Sequence, residues 1–164
     1  VRPTTDRVKE SLFNIINPYI IDSNVLDLFA GTGSLGIECL SRGASSAIFV
    51  DVSKESINIV KSNIKKARVE NESTILNLDF KNAIDRLKIQ NKKFDIIFMD
   101  PPYYKNMFID ALSSIDEADL LCDDGIIVVE HDTKDKFVDK IGRLEKTRDK
   151  KYGNTTLTFY KLEE

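Results

Sequence analysis

The stretch Val25-Leu26-Asp27-Leu28-Phe29-Ala30-Gly31-Thr32-Gly33-Ser34-Leu35-Gly36 decides the fold. It begins as an apolar run, bends at glycine, and continues in a pattern that suits a helix. A strand leading through a glycine turn into a helix is the opening half of a βαβ unit. Gly31 and Gly33 allow the backbone to approach a ligand closely at the C-terminal edge of the sheet, where doubly wound folds bind cofactors. The spacing Gly31-x-Gly33-x-x-Gly36 also satisfies the dinucleotide fingerprint, with Asp51 placed as its ribose-binding acid. Taken alone it suits a nicotinamide or flavin enzyme as well as one that uses S-adenosylmethionine.

Outward from this stretch, apolar runs alternate with amphipathic segments, the pattern of an α/β domain with a mainly parallel sheet. Strands are predicted over Val25 to Ala30, Ala47 to Asp51, Thr74 to Asp79, Phe94 to Met99 and Gly125 to Glu130. Most are too continuously apolar to be half-exposed, so they belong to a sheet covered on both faces. Helices are predicted over Ser34 to Arg42, Lys54 to Lys66 with Ser53 as N-cap, Asn82 to Leu87 and Phe108 to Ile115. Thr5 to Ile16 reads as a capped helix ahead of the first strand, with Val8, Leu12, Phe13 and Ile16 on one face. Near the C-terminus, polar residues lead into the Gly153-Asn154 turn and an alternating Thr155 to Leu162 segment, which predicts an antiparallel hairpin.

The 164 residues suit one domain, spanning 1–164, with a single sizeable core. Hydrophobic residues make up 41% and charged ones 31%, which argues against disordered and membrane classes. The start at Arg2-Pro3-Thr4 lacks a signal-peptide core, so a cytoplasmic protein is expected. Because the chain opens at Val1, something upstream is expected to have been removed. Cys39 and Cys122 lie at no metal-ligand spacing and read as reduced thiols, and no metal is expected. The net charge of -3 gives no overall attraction for nucleic acid, so any such binding requires a local patch.

Four acids are placed to carry chemistry. Asp27 lies within the first buried strand, where a carboxylate needs donors or a cation; the amino group of a methionine moiety would serve, whereas a pyrophosphate would be repelled. This favours S-adenosylmethionine over a dinucleotide. Asp51 could accept from ribose hydroxyls with Val52 against the adenine face, or simply stand as an acid before the next helix. Asp79 could accept from the adenine amino group while the Phe80 N–H points at the ring, or simply cap a helix.

Asp100-Pro101-Pro102-Tyr103 is the sharpest signal. Pro-Pro cannot continue a central strand, so the chain leaves the sheet there, at the same edge as Gly31, Asp51 and Asp79. Asp100 and a prolyl carbonyl supply acceptors and Tyr103 a flat face, a set that fits a planar amine. His131, the single histidine, reads as a structural or rim residue.

The sequence also resembles a known family, the bacterial small-subunit ribosomal RNA guanine-N2 methyltransferases (RsmD). The resemblance lies in Arg2 to Asn14, in the glycine motif with Leu35 to Glu38, in Ser41-Arg42-Gly43-Ala44, in Asp100 to Tyr103 and in Lys151 to Thr155. It implies a Rossmann-like class I fold with a seven-stranded, mostly parallel sheet and S-adenosylmethionine as donor. It further implies one guanine of 16S rRNA as target during small-subunit assembly. Arg2, Thr4 and Arg7 would then lie over the cofactor pocket near the RNA, with Tyr103 on the target base. The family carries a short basic segment upstream of Arg2, which this sequence lacks. Candidate phosphate contacts are Arg2, Arg7 and Lys9 with Arg143, Lys146, Arg148, Lys150 and Lys151.

Three other readings compete. The same amine-binding motif suits a DNA adenine or cytosine, or a protein glutamine. The glycine fingerprint suits an NAD-dependent oxidoreductase. A catalytically silent RNA-binding module could keep the fold.

Overall fold

A computed structural model describes residues 6–100 and 105–164. The elements run α1 (Asp6–Ile20), β1 (Asn24–Asp27), α2 (Ser34–Ser41), β2 (Ser46–Val50), α3 (Lys54–Ala67), a 3-10 turn (Glu70–Glu72), β3 (Ser73–Leu76), α4 (Phe80–Ile89), β4 (Phe94–Met99), α5 (Lys105–Glu117), β5 (Leu121–Asp132), β6 (Lys140–Ile141), β7 (Leu144–Tyr152) and β8 (Thr155–Leu162).

The strands form one sheet in the order β3-β2-β1-β4-β5-β8-β7-β6. The five strands from β3 to β5 are parallel, and β8, β7 and β6 continue antiparallel. Alternation along each strand sends side chains to two cores. Ile96 and Phe98 of β4 join α1, α2 and α3 on one face. Ile97 and Met99 join α4 and α5 on the other. Because both faces are covered, the central strands read as unbroken apolar runs. The chain switches direction across the sheet between β1 and β4, which opens a crevice at their C-terminal ends.

Several expectations need correction. The sheet has eight strands rather than seven, because Gly142, at φ 58°, folds Lys140–Ile141 back onto β7 as a short edge strand. Strand β1 ends at Asp27 rather than Ala30, although the Leu28 amide still donates to Phe98 at 3.1 Å and the Ala30 amide to Val50 at 2.9 Å. The chain thus follows its neighbours while the ladder gives way to the turn. Strand β5 is longer than expected at both ends, because Leu121 pairs with Phe94 of β4 and His131 and Asp132 pair with Thr156 and Thr155 of β8. Helix α1 runs on to Ile20 through Pro18, since burial of Ile20 holds the last turn against the proline's disruption. Its expected start at Thr5 lies outside the described residues.

Candidate active site

Four strand ends meet at one edge of the sheet. The turn after β1 places Gly31 at φ 60° and Gly33 at φ 80°, left-handed positions that favour glycine. The Asp51 carboxylate, one residue past β2, accepts the Gly31 amide at 2.9 Å on one oxygen and the Ser53 amide at 2.9 Å on the other. Asn77 locks the same peptide from the far side: its amide nitrogen donates to the carbonyls of Asp51 at 3.0 Å and Val52 at 3.1 Å. Asp79 caps α4, accepting the Asn82 amide at 2.8 Å.

Between these groups lies a cleft of about 330 Å³. Leu28 and Phe29 from the end of β1 line it, as do Asp51, Val52, Ser53 and Ser56 from the β2 exit and the start of α3. Leu78, Asp79 and Phe80 come from the β3 exit, with Asp100 from the end of β4 and Met107 from α5. Val52 is 71% exposed, an apolar side chain that α3 and the sheet leave uncovered beside a carboxylate. Phe29 and Phe80 meet with ring centroids 5.6 Å apart and close the apolar floor.

Asp51, Val52, Asp79, Phe80 and Asp100 are therefore brought together as cleft walls. Asp27, Gly31 and Gly33 are not; Asp27 ends β1 and the two glycines form the turn alongside. Asp27 is only 3% exposed and accepts the Gly36 amide at 3.3 Å. Burial pushes its carboxyl up to about 7, the Gly36 amide opposes that rise, and the nearby Asp51 charge adds to it. Gly36 is also where a Cβ would lie 2.5 Å from the Phe49 ring, so any larger residue there would force the ring or the helix to shift. Pro101, Pro102, Tyr103, Arg2 and Thr4 lie outside the described residues. Arg7 is exposed on α1.

His131 stands apart from the cleft, on the α5 side of β5. Its ring faces Phe137 at 4.2 Å and Phe108 at 6.2 Å, and its Nε2 lies 2.6 Å from the Thr158 hydroxyl. Thr158 in turn donates to Asp149 at 2.7 Å. Cys39 and Cys122 are free thiols. Among the described residues no His, Cys, Asp and Glu cluster is placed to hold a metal ion, and no helix is long and apolar enough to cross a membrane.

The residues suit S-adenosylmethionine. The cleft volume is that of a small-molecule site. It pairs two apolar side chains, Val52 and Phe80, with acceptors Asp51 and Asp79. That is the set of groups a purine nucleoside requires: faces to cover its base, and carboxylates to accept from its hydroxyls and amino group. A diphosphate, by contrast, would meet carboxylates rather than cations there. Asn77, Leu28, Phe29, Leu78 and Met107 escaped sequence reasoning; of these only Asn77 carried a signal, as a polar residue at the exit of a strand.

Known proteins resemble this chain in sequence and in fold. Ribosomal RNA small subunit methyltransferase D of Haemophilus influenzae is 42% identical over 83% of this chain and 70% of its own length. A solved structure described as a conserved hypothetical protein of Streptococcus pyogenes superposes with a TM-score of 0.87 at 35% identity, covering 96% of each chain. The fold also matches, with a TM-score of 0.76 at 14% identity, an RNA methyltransferase from Salinibacter ruber solved in complex with S-adenosyl-L-homocysteine; 99% of this chain and 95% of that one are covered. The family described as Conserved hypothetical protein 95 matches residues 1–161. This chain belongs to that family, the RsmD family its motifs resemble.

Proposed function

We propose that this chain transfers a methyl group from S-adenosylmethionine to the exocyclic N2 amine of a guanine in 16S rRNA. The observation that carries the reading is the meeting of Asp51, Asp79 and Asp100, from three strand ends, around one cleft with apolar walls. Residues 1–164 act as one methyltransferase domain, a reading supported by the described strands sharing one sheet.

The bound cofactor supplies an electrophilic methyl on a sulfonium. Asp51 accepts from the ribose hydroxyls while remaining bonded to Gly31 and Ser53, because each carboxylate oxygen has capacity for a second donor. Val52 and Phe80 cover the adenine, and Asp79 and the Phe80 N–H meet its polar edge. The turn Gly31 to Gly33 takes the methionine end, with Asp27 beneath it as the counter-charge to the ammonium.

Asp100 and a prolyl carbonyl of the Asp100-Pro101-Pro102-Tyr103 motif accept the two amine hydrogens of the target base, and Tyr103 stacks on its ring. These acceptors favour the pyramidal nitrogen whose lone pair leaves the plane of the base, and fixed proximity supplies much of the remaining rate. Transfer would form the N–C bond as the donor's S–CH3 bond breaks, leaving S-adenosylhomocysteine as a neutral thioether, and the excess amine proton would pass to Asp100 or to water. A base paired within RNA must first be turned out, at a cost of a few kcal/mol that stacking on Tyr103 partly offsets.

With a net charge of -3 the chain has little general affinity for RNA, which favours a protein-bound assembly intermediate over free rRNA as substrate. Such an enzyme works in the cytoplasm, where the small subunit is built. Labelled methyl transfer into small-subunit rRNA, small subunits, DNA and protein tests the reading. Label in one rRNA guanine is expected; label confined to DNA or protein, or stabilisation of the chain by NAD but not by S-adenosylhomocysteine, would overturn it.

A further inference from the structure

The candidate phosphate contacts divide into two groups by what they touch. Lys9 is paired with Glu38 at 3.5 Å, Lys146 with Asp139 at 3.2 Å and Asp149 at 3.1 Å, and Arg143 with Asp119 at 2.9 Å and Asp116 at 3.4 Å. Among the described residues, Arg7, Arg148, Lys150 and Lys151 meet no carboxylate at ion-pair distance.

Register shows where these unneutralised cations stand. Lys150 lies opposite Leu157 and Arg148 opposite Phe159 in the β7–β8 ladder. Residues directly opposite in an antiparallel pair share a face. Leu157 and Phe159 point into the core that α1 covers, so Arg148 and Lys150 emerge on the α1 side; Lys151, opposite Thr156, emerges on the other.

Helix α1 runs along this hairpin through the row Arg7, Ser11, Ile15 and Tyr19, spaced by four. The Ser11 hydroxyl meets the Tyr152 hydroxyl, and Lys161 donates to the Tyr19 hydroxyl at 3.0 Å. Arg7, about 6 Å further along the axis than Ser11, therefore projects past Tyr152 toward the Gly153-Asn154 turn. That turn stands at the C-terminal edge of the sheet, since Thr155 pairs with Asp132 at the end of β5. Asp100 opens the cleft at the same edge. Lys150 lies about 7 Å down the strand from Tyr152, and Arg148 follows it. The paired Arg143 sits at the opposite end of β7. Asp6 and Glu10 are the exposed acids on the same stretch of α1.

We infer that the seam between α1 and β7, with Arg7, Lys150 and Arg148 disposed around Tyr152, docks the phosphodiester backbone of the RNA whose base enters the cleft. The inference rests on the RNA reading above and assigns it a surface. In a chain of net negative charge, phosphate contact depends on cations not already neutralised, and these three share one face leading to the cleft edge. They position substrate and take no part in the chemistry.

The test compares Arg7→Ala/Arg148→Ala/Lys150→Ala with the wild-type chain and with Arg143→Ala. Binding to small-subunit rRNA, naked and assembled in small subunits, is measured across salt concentrations, and S-adenosylhomocysteine affinity is measured alongside. The triple variant is expected to lose about tenfold or more in RNA affinity, and its log-affinity against log-salt slope should fall by about 2–3. The double variant Arg148→Ala/Lys150→Ala, which leaves Arg7 in place, should keep the wild-type cofactor affinity, and Arg143→Ala should behave as wild type.

Unchanged affinity and slope in the triple variant, with whichever probe the wild-type chain binds, would overturn the inference while leaving the proposed activity standing. Weaker binding to subunits with unchanged binding to naked rRNA would also overturn it, because the seam would then contact protein. A wild-type chain that binds neither probe and methylates neither would overturn the RNA reading and this inference with it.

Discussion

The Asp51 carboxylate accepts the Gly31 amide at 2.9 Å, tying the end of β2 to the turn that follows β1. The two strand ends of the first βαβ unit are thereby fixed relative to each other, and the acid that faces the cleft also shapes the glycine turn beside it.

Replacing Asp51 therefore removes both a ligand contact and two backbone anchors. Hydrogen bonds to a charged group contribute about 1.5–3 kcal/mol each. Asp51→Ala is expected to weaken S-adenosylhomocysteine binding by at least about tenfold to a hundredfold, and Asp51→Asn, which keeps one acceptor, by less. Calorimetric titration of both variants checks the order.

Asp100 should separate chemistry from binding. If it holds the amine only as the nitrogen becomes pyramidal, Asp100→Ala should lower methyl transfer by about a hundredfold to a thousandfold. Cofactor affinity should change much less. Single-turnover transfer combined with the same titration measures both.

Asp27 gives a pH signature. Its folded pKa of about 7 stands above the ordinary 3.8, chiefly because of burial, so the folded chain binds this proton more tightly than the unfolded one. The contribution to stability is complete below about pH 4 and is lost as pH rises through 7. Asp27→Asn, which never ionises, should gain on the wild type across that window by a few kcal/mol and then level off. Urea denaturation of the two chains at a series of pH values reads this directly. An ammonium bound above the turn favours the ionised form, so wild-type affinity for S-adenosylhomocysteine should rise over the same interval.

Gly36 is a packing requirement at the start of α2. With a Cβ placed 2.5 Å from the Phe49 ring, Gly36→Ala should destabilise the chain by about 1–3 kcal/mol. Phe49→Leu should recover part of that loss in the double variant, a coupling that a mutant cycle in denaturant measures.

Much of the architecture was legible because each signal was physical and local. Strand β4 falls on Phe94–Met99 as expected, since a buried run bounded by Pro-Pro leaves little freedom at its end. The glycine turn, Ser53 as N-cap and the hairpin at Gly153 were readable for similar reasons. What escaped depended on partners far away in sequence. Two-residue β6 has no pattern of its own and exists only as an edge paired to β7. Asn77 matters through the Asp51–Val52 peptide, 25 and 26 positions away. The division of lysines and arginines into paired and unpaired ones likewise depends on which acids the fold brings near. Arg143 and Arg148 look alike in sequence, yet only Arg143 meets carboxylates, those of Asp116 and Asp119.

The most direct measurement is a crystal structure of the chain with S-adenosylhomocysteine. The expected result has both ribose hydroxyls on the Asp51 carboxylate, the adenine between Val52 and Phe80, and the sulfur turned toward Asp100. A nucleoside bound elsewhere, or one in this cleft with its sulfur directed away from Asp100, would contradict the assignment.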